Sequence, residues 1–233
     1  MQKNSLFFKI FLIFLIFFSI STMSCQSLFN FEKSKQRGQT SPSFHISRRL
    51  SDTAKLTPTE LADFFITQNP DIEYQRIFVI ARYYFFESQK ENINSTVAFA
   101  QMCLETGFLR FGNLVTPEMN NFCGLGSMDE EHPGASFPTP RLGIRAHIQH
   151  LQAYATTEDV MLHEELVDPR YDWVHKIKYV ETIDGLSGTW ATDKSYAEKI
   201  DRILQQMEDF IIKRNRLAKI QACLRKYKSR NSR

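Results

Sequence analysis

Glu105 is the residue whose type and place could do chemistry most directly. It stands in Leu104-Glu105-Thr106-Gly107, closing a stretch of small and apolar residues that includes Val97, Ala98 and Ala100. A carboxyl group in such surroundings costs stability unless it faces a cleft or a partner. Partial burial and the negative end of a helix, whose last turn it would occupy, both push its pKa upward. A carboxyl that stays protonated near neutral pH can give its proton to a leaving oxygen, as a general acid does in glycoside hydrolysis. The residue types alone leave a second role open, a helix-terminal glutamate bonded to Arg110 or Arg145.

Glycoside hydrolysis ordinarily uses two carboxyl groups, about 5–5.5 Å apart for retention and about 6.5–9.5 Å for inversion. Asp129, Glu130 and Glu131 supply candidates for the second, with Asp129 first, and a solvated acidic loop tip is the alternative for each. His147 and His150, with His163 beyond, lack the H-E-x-x-H arrangement of a zinc site and read as structural, so no metal is expected. Cys103, Cys123 and Cys223 form no C-x-x-C pair and have no zinc-ligand spacing. Cys103 and Cys123 read as buried free thiols in preference to a disulfide.

These residues require elements to hold them. Thr57-Pro58-Thr59-Glu60 is a capping box with proline at the first helical position, opening a helix whose apolar face is Leu61, Phe64 and Phe65. A second helix is predicted over 71–90, apolar nearly all round and so deeply buried. A third runs from Ser95 as N-cap to Gly107 and carries Glu105. Residues 113–137 contain Pro117, Gly124, Gly126, Pro133 and Gly134 and read as a long surface loop of the kind that carries function. A fourth helix spans 141–155, and a last one runs from about Lys194 into the tail. No strand pattern of convincing length and no repeat is found, so the chain is expected to be mainly α.

The rest of the 233 residues is organised around that domain. Eight of the 20 phenylalanines fall within residues 1–31, where Lys3 and Lys9 flank an apolar run from Ile10 to Phe18. This is an export signal, residues 1–24, too short for the ~20 apolar residues of a spanning helix. Ser24-Cys25 resembles the cleavage site of a bacterial lipoprotein, with Cys25 as the acylated residue; simple secretion and an uncleaved anchor are the alternatives. Residues 25–56 are polar and read as a tether, and 57–212 as the folded domain. Residues 213–233 hold nine basic and no acidic residues, so the net charge of +3 hides an acidic body with a basic tail. For an exported chain that tail points to anionic lipid or wall polymer rather than nucleic acid.

Ala100-Gln101-Met102-Cys103-Leu104-Glu105-Thr106-Gly107 resembles the A-Q-x-x-L-E-[ST]-G helix of the bacterial glucosaminidase domain, glycoside hydrolase family 73 type. Asn120-Asn121-Phe122-Cys123-Gly124-Leu125 is similar to that family's N-N-x-x-G-[IL] turn beside the cleft. Phe137-Pro138-Thr139 leading into Gly143-Ile144-Arg145, then Val167-Asp168-Pro169-Arg170-Tyr171 and Trp190-Ala191-Thr192-Asp193 with Tyr196 and Ile200, continue the likeness in order over 72–207. Two positions depart from it: Trp190 stands where many members carry tyrosine, and Phe108 where many carry tryptophan.

The resemblance implies a single lysozyme-like helical domain with long cleft-forming loops, acting on peptidoglycan glycan strands without cofactor or metal. It makes Glu105 the catalytic acid. It assigns Asn120, Asn121, Phe122, Gly124 and Phe137 to the substrate cleft, and Trp190 either to sugar stacking or to the core. It also permits the substrate's own acetamido group to replace Asp129. The expected bond is the β-1,4 linkage between N-acetylglucosamine and N-acetylmuramic acid, in the bacterial cell envelope. A lytic transglycosylase and an inactive wall-binding scaffold are the rivals.

Overall fold

The computed structural model describes residues 44–112, 114–157, 159–176 and 179–231. The expected export signal and Cys25 lie outside them. Helix α1, Pro58–Gln68, starts at the capping box: the Thr57 hydroxyl accepts from the Glu60 amide at 3.3 Å and the Glu60 carboxylate accepts from the Thr57 amide at 2.9 Å. Helix α2 is Tyr74–Lys90 and α3 is Ser95–Glu105. Asn94, one residue before the expected cap, closes the start of α3 by accepting from the Thr96 amide at 3.1 Å. After a 3-10 turn at Pro117–Met119, α4 spans Pro140–Ala155, with the Thr139 hydroxyl as its N-cap. Helix α5, Tyr171–His175, and a second 3-10 turn, Ile183–Leu186, precede α6, Tyr196–Asn231. The described residues contain no strand, only isolated bridges such as Arg49 to Thr182.

The domain is of the expected mainly α, lysozyme-like class, organised around α3. Every residue of α3 from Ser95 to Cys103 is buried, and α2, α4 and α6 pack around it. Phe64, Phe65, Tyr84, Phe99, Met102, Ile144 and Ile148 fill the space between the helices. Glu87, buried on α2, ties that helix to α4: it accepts from Arg141 Nε at 2.7 Å and Arg145 Nε at 2.9 Å. Burial pushes its pKa up, but the arginine hydrogen bonds outweigh that and leave it below the ordinary value.

Two expectations are corrected. Helix α2 is not buried all round: Ile77, Ile80, Ala81 and Tyr84 face the core, whereas Tyr74 and Phe86 are 42% and 45% exposed. The Arg82 guanidinium covers Phe78 and Phe86 from outside, at 6.0 and 5.7 Å from the ring centres. The tether expected over 25–56 also gives way to folded chain before residue 57. Ile46, Leu50 and Leu56 are 0–1% exposed. Their backbone is held by distant partners, with Leu50 donating to the Glu181 carbonyl at 3.0 Å and Asn94 donating to the Leu50 carbonyl at 2.7 Å. Such pairing has no local periodicity, which is why a sequence pattern does not show it. Among the described residues no helix is long and apolar enough to cross a membrane.

Candidate active site

Glu105 ends α3, and the chain then turns away through Gly107 at φ +56°. Its carboxylate opens on a cleft of about 650 Å³ bordered by Gly107, Phe111, Gly124, Met128, Trp190 and Thr192. Among the described residues lining that cleft it is the sole carboxylate. Oε1 accepts two hydrogen bonds, one from the Tyr196 hydroxyl and one from Trp190 Nε1 at 3.1 Å. Oε2 lies beside Gly124, where a Cβ would come within 3.6 Å of it. Burial drives the Glu105 pKa up; the bonds from Tyr196 and Trp190 favour the charged form and offset this only in part. The arginines considered as partners are engaged elsewhere. Arg110 donates to the Gly107 and Gln68 carbonyls, and Arg145 is paired with Glu87 and Glu164.

Behind Glu105 runs a buried chain of hydrogen bonds with one direction. Gln101, one turn earlier on α3, donates through Nε2 to the Tyr196 hydroxyl at 2.8 Å. Its Oε1 faces His147 Nε2 at 3.0 Å, so that nitrogen carries the proton. Nδ1 is then the acceptor for the Tyr84 hydroxyl, 2.9 Å away. The protons therefore point from Tyr84 through His147 and Gln101 to Tyr196, and Tyr196 spends its own on Glu105. Burial, with a smaller contribution from His150, brings the His147 pKa down to about 3, so the ring stays neutral. Burial and the Glu105 charge raise the Tyr196 pKa well above its ordinary value, which keeps the phenol a donor.

Trp190 is set by a second group. Its ring packs at 4.8 Å from His150, 5.6 Å from His147 and 5.7 Å from Tyr154. His150 Nδ1 lies 2.8 Å from the buried Asp168 carboxylate. Asp168 is in turn anchored by Gln149 Oε1, which accepts from its amide at 3.1 Å and from that of Val167 at 2.8 Å. Trp190 thus borders the cleft, packs into the core and donates to the acid. Of these supports, Gln101 has a signal in sequence, since four residues place it on the same helix face as Glu105. The partnership of Tyr196 and His147 with the acid has no local signal.

The other residues expected to bind substrate mostly build the loop. Asn121 Oδ1 accepts from the Leu125 amide at 3.0 Å, and its Nδ2 donates to the Leu125 and Ala135 carbonyls at 3.0 Å each. Asn121 borders the cleft, but its polar atoms are spent inside the turn. Asn120 takes the left-handed conformation at φ 51° and donates to the Phe137 carbonyl at 2.8 Å. Phe122 is 4% exposed and belongs to the core. Phe137 packs on Cys123, Leu125 and Ala146. Asp129, expected as the base, lies at the exposed loop tip and accepts there from the Glu131 and His132 amides at 3.1 and 2.8 Å. It does not line the cleft, because its short side chain serves its own turn. Cys103 and Cys123 are buried free thiols.

The same residues fall within a match to known proteins. Residues 81–209 match the family model Glucosaminidase, described as mannosyl-glycoprotein endo-beta-N-acetylglucosaminidase. A protein of Borreliella burgdorferi, itself described only as an uncharacterized protein, is 35% identical over 161 residues, covering 69% of this chain and 78% of that relative. Tyr84, Gln101, Glu105, His147, Trp190 and Tyr196 all lie inside the matched segment.

Proposed function

The chain belongs to the glucosaminidase family, and from that premise we propose that it is a peptidoglycan hydrolase of the bacterial cell envelope. It cleaves the β-1,4 bond between N-acetylglucosamine and N-acetylmuramic acid. The observation that carries this reading is Glu105, a cleft-facing carboxyl whose pKa burial raises while two donors fix its orientation. It protonates the glycosidic oxygen as charge develops on the sugar. Trp190 and Gly124 shape the wall against which that sugar sits. The substrate's acetamido group assists from the opposite side; the engagement of Asp129 in its own turn, and Glu105 as the one carboxylate among the described residues of the cleft lining, support that over a second enzyme carboxylate. Acylation at Cys25 and the polar segment after it hold the domain close to the membrane while it works on the wall.

One carboxylate among the described residues of the cleft also fits a lytic transglycosylase, which leaves an anhydro end. The decisive experiment incubates the whole chain, and its Glu105→Gln variant, with purified peptidoglycan. Released ends are identified by mass spectrometry after borohydride reduction. New reducing N-acetylglucosamine ends that vanish in the variant are the expected result. Anhydro ends assign the transglycosylase instead. Binding without release from the parent chain overturns both in favour of a scaffold, and equal activity in the variant overturns the role of Glu105.

A further inference from the structure

The second half of α6 has no part in the cleft. Up to Ile211 the helix is packed into the core through Ile200, Leu204 and Met207. One turn on, Arg214 pairs with Asp63 and Glu60 on α1. Beyond it the helix continues to Asn231 with every described side chain exposed. Leu217, Ile220, Leu224 and Tyr227 recur at intervals of three and four residues, so they share one face, and they are 44–66% exposed. Arg216, Lys219, Arg225 and Lys226 stand beside and behind that face, within a segment that contains no acidic residue at all. A helix ordinarily sheds such a stripe into a core; here the fold leaves it outside.

We propose that this helix docks in the surface of an anionic lipid bilayer, with Leu217, Ile220, Leu224 and Tyr227 entering the headgroup boundary and the flanking cations binding lipid phosphates. Charge complementarity selects the occupant. A second copy of the helix would set Arg216, Lys219, Arg225 and Lys226 against their own counterparts in a segment that has no acidic residue, and two heptads of apolar positions are short of the three to four that sustain a coiled coil. An anionic wall polymer satisfies the cations but leaves the apolar stripe in water. An anionic bilayer satisfies both, and a basic amphipathic helix is the form that does so. This face belongs to α6 alone, and its docking is independent of the catalytic role of Glu105. Its consequence is a domain held at the membrane by its C-terminal helix, with α1 and the core beside that contact.

Cys223 makes the test local. It is exposed on this helix, next to the stripe, whereas Cys103 and Cys123 are buried. In the whole chain carrying Cys25→Ser, a nitroxide label on Cys223 reports its own depth in vesicles by electron spin resonance, whatever the leader does. The expected result is a label shielded from aqueous relaxants in vesicles of phosphatidylglycerol and phosphatidylcholine but not in phosphatidylcholine alone. High salt should weaken it. Leu217→Gln with Leu224→Gln should reduce the shielded population about a hundredfold, from the apolar burial the two leucines lose, while cleavage of soluble glycan fragments is unchanged. A label that stays in water on anionic vesicles overturns the proposal. So does spin–spin coupling without lipid, which assigns the stripe to a second copy.

Discussion

Replacing Tyr196 with phenylalanine removes one oxygen and keeps the ring, and its effect on the acid can be worked from the site. The Tyr196 hydroxyl and Trp190 Nε1 both donate to Glu105 Oε1, and both lower a pKa that burial has raised. A hydrogen bond to a charged group contributes about 1.5–3 kcal/mol, and 1.36 kcal/mol corresponds to one pH unit. Without the tyrosine donor the ionised carboxylate is less favoured, so Glu105 holds its proton to higher pH. An acid must be protonated to act, so the alkaline limb of kcat/KM moves up by about one to two pH units in Tyr196→Phe. The maximum falls because the carboxyl is held by one donor. The substitution also leaves Gln101 Nε2 without its buried acceptor, at a cost of about 1–3 kcal/mol in folding stability. Initial rates of peptidoglycan clearance across pH, taken well below the midpoint of thermal unfolding, measure the limb. An unmoved limb, or one displaced to lower pH, would refute the claim that this hydroxyl stabilises the ionised acid.

Glu105→Gln should abolish cleavage without destabilising the fold at neutral pH. A carboxyl whose folded pKa is raised supports folding while protonated and loses that support as pH rises through the folded value, so the glutamine chain gains stability relative to the parent between acid and neutral pH. Melting temperatures at several pH values read this, and a gap that widens against the variant with rising pH contradicts it. His147, with its pKa brought down to about 3, has the opposite linkage. The unfolded chain takes up the proton first, so the folded state loses up to about 5 kcal/mol as pH falls from 6.5 toward 3. Urea unfolding of His147→Gln should show a shallower decline over that window, and identical slopes would count against a neutral buried ring. Gly143→Ala places a Cβ 1.7 Å from the Asn120 carbonyl oxygen, so the turn beside the cleft must move. A loss of activity of about tenfold or more is expected, because displacing the groups around a reacting centre by about an ångström can cost up to a hundredfold. Unchanged kinetics would show that this turn does not shape the cleft.

Local chemistry carried the first level of this protein. The capping box at Thr57 and the end of α3 beyond Glu105 are written in neighbouring residues, because a helix end must satisfy its own free amides and carbonyls. The candidate acid was legible for the same reason: a lone carboxyl on an apolar helix end demands an explanation. Its environment was not. The donors to Glu105 come from Trp190 and Tyr196, 85 and 91 residues away, and the support behind them comes from Tyr84 and His147 on two other helices.

Asn120, Asn121, Phe122 and Phe137 show the same division from the other side. Their residue types suit a glycan as well as they suit a turn, and only the folded chain spends them elsewhere: carbonyls waiting for amide donors take the two asparagines into the loop, and apolar clusters take the two phenylalanines. Ile46, Leu50 and Leu56 read as part of a polar tether because no period links them, yet they seal the core once Glu181 and Asn94 are brought alongside. Spacing along a chain encodes what neighbours on one helix can do for each other. Burial and hydrogen-bond direction depend on which distant segments pack together, and in this protein they are what turn Glu105 from a costly residue into a carboxyl held in place at a cleft.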